Sequence, residues 1–146
     1  MRSTPGGRRP STGLQHEMHW TNAQGRFSVA IFIVEKIVKD VMVLDLRGRV
    51  TLGPETEAVR TKLKALVAAG NHRIILNLGE VTYLDSVGLS TLISGYTSAK
   101  SAGGNLKLLH LPRGVQQLLQ ITRLSTVFDI YEDLDKAVDS YQEDNP

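Results

Sequence analysis

Val81-Thr82-Tyr83-Leu84-Asp85-Ser86-Val87-Gly88-Leu89 is the stretch on which the reading of this chain turns. The run Arg73–Leu78 before it has the apolar density of a strand buried in a parallel sheet. After it, Leu89, Leu92, Ile93 and Tyr96 recur at helical spacing. The junction sets an Asp-Ser pair at the start of a helix, where the first backbone N–H groups lack partners and the helix dipole is positive. Asp85 is expected to cap that helix, its carboxylate accepting the N–H of Val87 or Gly88. Gly88 permits close backbone approach. Ser86 is expected on the exposed turn, where it either only begins the helix or also accepts a phosphoryl group.

Working outward, Phe27–Val38 and Val41–Gly48 are rich in β-branched residues and predict two strands. The short polar break Lys39-Asp40 joins them as an antiparallel hairpin. Gly53-Pro54 opens a first helix, with Glu55 and Glu57 suited to its positive end. Ala58, Val59, Leu63, Leu66 and Val67 form its apolar face, and Gly70-Asn71 stops it. The second helix spans about Ser86 to Ser101 and ends at Gly103-Gly104. Leu106–Leu111 predicts a strand, Val115, Leu118 and Leu119 a third helix, Thr126–Tyr131 a last strand. Leu134, Ala137, Val138 and Tyr141 mark a C-terminal helix. The order β-β-α-β-α-β-α-β-α predicts an α/β fold with a mixed, mostly parallel sheet packed with about four helices.

Residues 1–25 are rich in Gly, Pro, Ser, Thr and Arg, and predict a disordered leader before a domain over 26–146. Met18, inside that leader, offers a later biological start. The net charge of +2 owes much to this segment: beyond residue 26 there are 13 basic and 14 acidic residues. No basic stripe interleaved with aromatics argues for nucleic acid. No apolar run approaches the roughly 18 residues of a membrane span. The chain has no cysteine, so thiol catalysis and thiolate metal sites are excluded; a reducing compartment is consistent with this without following from it, and the localisation expected is cytoplasmic.

Other chemistry finds little support. A serine hydrolase needs a base within reach of Ser86. His16 and His19 fall in the leader, His72 starts a strand at the opposite end of the sheet, and only His110 could approach the same rim. Leu84 stands where a nucleophile elbow needs glycine. No ligand spacing for a metal and no phosphate-binding glycine loop is present. Asp129, Glu132, Asp133 and Asp135 suit the positive end and wet face of the last helix. Tyr83 and Tyr96 are expected to pack in the core with a wet hydroxyl.

In this element order, Tyr83–Leu89 resembles the signature of the anti-sigma-factor antagonists, the STAS-domain family. The resemblance runs from about Phe27 to Tyr141 and takes in Leu46-Arg47-Gly48, Ile74–Leu78, Gly103–Leu108 and Thr122-Arg123-Leu124. It implies a single STAS-like domain with no enzymatic activity and no cofactor. It implies that Ser86 is phosphorylated by a serine protein kinase that is itself the anti-sigma factor. The unphosphorylated form would bind that kinase and free the sigma factor for RNA polymerase. A PP2C-type phosphatase would reset the phosphorylated form. The implied contact surface is Asp85, Ser86, Val87 and Gly88, the helix face carrying Ser90, Ser94 and Thr97, and the loop residues Arg49 and Thr51. Many such antagonists carry Gly-Glu-x-Asp after the second strand, where this chain has Gly48-Arg49-Val50-Thr51. Val87 replaces the Ser or Thr often found after the serine, leaving Ser86 as the acceptor in the motif. The alternative is a non-phosphorylated STAS adaptor or scaffold in a transport or signalling complex.

Overall fold

The computed structural model describes residues 14–21 and 27–143, with side chains over 31–142. Its strands are β1 (Leu14–Thr21), β2 (Phe27–Val38), β3 (Val41–Val50), β4 (Arg73–Leu84), β5 (Asn105–Leu109) and β6 (Ile130–Tyr131). Its helices are α1 (Pro54–Ala68), α2 (Ser86–Ser101), α3 (Arg113–Ile121) and α4 (Leu134–Glu143). The six strands lie in chain order within one sheet. β1, β2 and β3 pair antiparallel; β3, β4, β5 and β6 pair parallel. The mixed, mostly parallel α/β architecture expected from the chain is the one observed.

The β2–β3 hairpin forms as expected, with Val38 opposite Val41. Its two central residues, Lys39 and Asp40, have φ of 50° and 69°. Both sit in the left-handed region, the signature of the turn whose twist matches paired strands. An L residue pays strain there that glycine does not. Asp40→Gly is therefore expected to stabilise the protein by about 0.5 kcal/mol, read as a higher urea midpoint with an unchanged slope.

β3 runs on to Val50 and β5 covers Asn105–Leu109, small shifts from expectation, and three larger differences stand beside them. β4 continues past Leu78 to Leu84 because β3 runs alongside it, pairing Gly48 with Val81 and Val50 with Leu84 across register shifts. The last strand shrinks to Ile130–Tyr131, since Leu124–Thr126 turns as a short 3-10 helix entered through Arg123 at φ 65°. Within the expected leader, Leu14–Thr21 forms a strand that pairs antiparallel with β2. The alternation of Leu14, Met18 and Trp20 with polar neighbours is the period-two signal for that strand. Residues 1–13 and 22–25 of the expected leader lie outside the described residues.

Both faces of the central strands are apolar, as a sheet covered on two sides requires. Leu44, Leu46, Ile74, Leu76, Leu106 and Leu108 pack beneath α1, α2 and α3 with Leu63, Leu92 and Leu119. Val41, Val43, Ile75 and Leu109 face the other way and are covered by Ala137, Val138 and Tyr141 of α4. The Tyr141 hydroxyl seats α4 on β4, donating to the Ile74 carbonyl (2.6 Å) and accepting its N–H (3.2 Å). Buried Lys107 donates to Ser140 Oγ at 2.8 Å and lies 4.2 Å from the Tyr141 ring centroid. On the first face, buried Glu35 pairs with Lys62 of α1.

Candidate functional site

The site forms where β3 and β4 end together. Asp85 leaves β4 with extended backbone (φ −98°, ψ −176°) and its N–H donates to the Val50 carbonyl at 3.3 Å. Its carboxylate then does two jobs. Oδ1 accepts the Gly88 N–H at 2.8 Å and so caps α2. Oδ2 accepts the Leu52 N–H at 2.9 Å, fastening the loop between β3 and α1 to the same point. That loop is also tied inward, the Thr56 hydroxyl donating to the Thr51 carbonyl.

These bonds favour the ionised carboxylate. The Gly88 N–H is the largest influence holding the Asp85 pKa below its ordinary 3.8; partial burial opposes it, and the Leu52 and Val87 N–H groups add to the lowering. A carboxylate whose folded pKa is depressed stabilises the fold above its unfolded pKa and loses that contribution as pH falls through the folded value. Asp85→Ala is expected to cost about 1–2 kcal/mol at pH 7. In chemical denaturation at stepped pH, the gap to the parent protein should close as pH drops below 3.8. A gap that stays constant into acid would refute the capping role.

Ser86 is the first residue of α2 and is exposed. Ser90 is exposed one turn later and its hydroxyl donates to the Ser86 carbonyl at 3.0 Å. Thr97 is exposed further along, and Ser94 is half-buried in the groove that Arg60 and Lys64 of α1 form with α2. Ser86, Ser90, Ser94 and Thr97 thus share one helix face at the expected spacing. Val87 is half-buried.

Gly88 makes the close backbone approach expected of it but does not lie on the expected contact surface. It is buried, facing inward, so it belongs to the support of the site and not to its surface. A Cβ placed there would stand 2.2 Å from the Val50 carbonyl oxygen, the same oxygen that accepts the Asp85 N–H. Only glycine lets the first turn of α2 lie this close to the end of β3.

Arg49 is exposed and Thr51 half-buried, both beside the junction. Tyr83 is also corrected: it is 57% exposed, not packed in the core, and the Arg49 guanidinium carbon lies 5.8 Å from its ring centroid. Tyr96 does pack inward, edge-on to Phe128 at 5.2 Å between centroids. Leu52, which sequence reasoning passed over, is 74% exposed on the loop held by Asp85. No local signal marks it, because the tether that fixes its backbone comes from Asp85, far along the chain. His110 is exposed, with φ 58°, and its side chain lies beside Gly79, well before Ser86 along β4. The chemistry this arrangement offers is that of a hydroxyl on display over rigid backbone.

Comparison with known proteins adds to this geometry. The family model for the STAS domain matches residues 33–137. The anti-sigma-B factor antagonist of Bacillus subtilis is 37% identical over 73 residues, covering 49% of this chain and 65% of that protein. A Thermotoga neapolitana protein named as an anti-sigma factor antagonist homologue is 26% identical over 107 residues, covering 73% and 95%. The crystal structure of an anti-sigma factor antagonist from Mycobacterium paratuberculosis superposes with a TM-score of 0.70 at 22% identity, covering 77% of this chain and 95% of that one. At that identity the likeness is one of fold.

Proposed function

The chain belongs to the STAS domain family, and from that membership we propose that it is an anti-sigma-factor antagonist switched by phosphorylation of Ser86. Relatives bearing that name cover most of its length. The observation that carries the reading is the exposed Ser86 at the first position of α2, immediately after a carboxylate whose two oxygens are both engaged by backbone N–H groups. The turn is held rigid, and the hydroxyl is left to a visitor.

In this reading the protein acts by binding and carries out no turnover of its own. It works in the cytoplasm; among the described residues no helix is long and apolar enough to cross a membrane. Its unmodified form docks an anti-sigma factor that is also a serine kinase, through Ser86, Ser90, Ser94, Thr97 and the loop carrying Arg49 and Thr51. The kinase transfers a phosphoryl group from its nucleotide to Ser86 Oγ, and the hydroxyl proton leaves to a base on the kinase. A phosphate adds about −1.5 to −2 charges at neutral pH. Near the positive end of α2 it costs the fold little, since such anions gain about 0.3–1 kcal/mol there. Within a docked interface the same charge must be desolvated and is expelled. A PP2C-type phosphatase restores the hydroxyl.

Intact-mass measurement of the protein from its native cells tests this. A single phosphate adduct is expected, absent from Ser86→Ala and removed by a PP2C-type phosphatase. An unmodified chain that still co-purifies with its partner under every growth condition would refute the switch and favour a constitutive adaptor.

A further inference from the structure

We propose that Leu52, Tyr83 and Arg49 form a docking anchor beside Ser86 for a partner protein that presents an apolar socket bordered by a carboxylate. The proposal rests on the reading of Ser86 as a partner site and specifies what the partner must look like there. Among the described residues, few large apolar side chains are strongly exposed, and two of them, Leu52 at 74% and Tyr83 at 57%, stand on the rim that carries Ser86. A single exposed leucine is unremarkable; an aliphatic, an aromatic and an arginine gathered on one rim have the composition of a binding hot spot.

The anchor is also held still. The Leu52 N–H is fixed by Asp85 Oδ2, so the side chain projects from a tethered backbone. Tyr83 and Arg49 are register partners on adjacent strands, with the guanidinium 5.8 Å from the ring centroid. Pre-ordered side chains lose less entropy on docking than loose ones.

Charge selects the partner. Arg47 and Glu80, of opposite charge, are register partners further back along the strands. The Asp85 carboxylate is turned into N–H groups. Arg49, exposed and over a ring, has no carboxylate within salt-bridge distance among the described residues, so it offers the rim an unpaired cation. A complementary surface is acidic where it meets Arg49 and apolar where it meets Leu52 and Tyr83. Phosphate on Ser86 would place negative charge toward that acidic surface, so anchor and switch act in the same sense.

The test uses the full chain in its native cells with the photo-crosslinker p-benzoylphenylalanine at position 52. A serine kinase is the expected adduct. Its affinity is then measured for purified protein and for Leu52→Ala, Tyr83→Ala, Arg49→Glu and, on the distant hairpin, Ile37→Ala. The three anchor variants should each bind tenfold or more weakly, the size of a hot-spot loss, while Ile37→Ala binds normally and all four melt like the parent. Reversing a kinase carboxylate to lysine should restore binding of Arg49→Glu. Normal affinity in all three anchor variants, with Ser86 still phosphorylated, would overturn the anchor and leave the switch standing. Loss of binding to a captured acidic protein that is no kinase, with Ser86 unmodified, would overturn the switch and leave the anchor. Crosslinking to a second copy of this chain, or sedimentation with phosphatidylglycerol vesicles that Arg49→Glu abolishes, would overturn the anchor as a site for a partner protein.

Discussion

Gly88→Ala is expected to destabilise the protein by about 2 kcal/mol, read as a lower urea midpoint. Two effects compete. Alanine in place of glycine gains about 1 kcal/mol of helix propensity. Against this, the new Cβ would meet the Val50 carbonyl oxygen at 2.2 Å, Leu84 Cδ1 at 2.8 Å and Val50 Cγ1 at 3.0 Å. The carbonyl is backbone and is already held by the Asp85 N–H. It cannot turn aside without releasing the end of β4. Overpacking of that kind costs about 3 kcal/mol at the upper end of its usual range, so the clash wins. The natural control is Gly114 in α3, where a Cβ would meet nothing within 4 Å. Gly114→Ala should be neutral or mildly stabilising. If both variants behave alike, the close approach of α2 to β3 is wrong. Because Asp85 and Leu52 hang on the same junction, Gly88→Ala should also loosen the Ser86 turn, seen as faster amide exchange at Leu52 and Leu89.

This part of the site was legible in the chain only in outline. Ser86 as the start of α2 and Asp85 as its cap follow from local rules: an apolar strand, a capping carboxylate, then apolar residues at helical spacing. Close approach at Gly88 was readable from the glycine, but not its partner or its burial, since Val50 is brought alongside by sheet pairing. Tyr83 likewise needed the register. Val81 and Leu84 are buried while Thr82 and Tyr83 between them are exposed, a break in alternation that the shift beside Gly48 and Arg49 produces. Leu52 is exposed on a loop whose backbone is fixed by Asp85, far along the chain, a contact no local window contains. Strand β1 was hidden for the opposite reason: its alternation is present, but it is set among glycine, proline and arginine that suggest disorder. Local chemistry is written in short windows; what tertiary pairing decides is not.

Phosphorylation of Ser86 should separate stability from binding more sharply than any other change. The expected fall in affinity for the kinase is at least 100-fold, while the urea midpoint stays nearly constant. Stability stays because the phosphate stands at the first turn of α2, exposed, where N–H groups and the dipole offset part of the repulsion from Asp85. Binding falls because a group carrying close to two charges would be pressed against a partner surface that complements Arg49. Turning an equilibrium from almost fully bound to almost fully free takes about 10⁴-fold in affinity, or about 5.5 kcal/mol; a desolvated dianion facing carboxylates is of that order. Ser86→Asp supplies one charge on a shorter arm and should lose about tenfold to 100-fold in affinity, or about 1.4–2.8 kcal/mol. Ser86→Ala should bind as the parent does, since the Ser86 hydroxyl is not what caps the helix. Equal affinity of Ser86→Asp and Ser86→Ala would sink the switch. A phosphorylated form that loses binding and also several kcal/mol of stability would show that the charge acts by unfolding the turn, and that Asp85 does not hold it as the geometry requires.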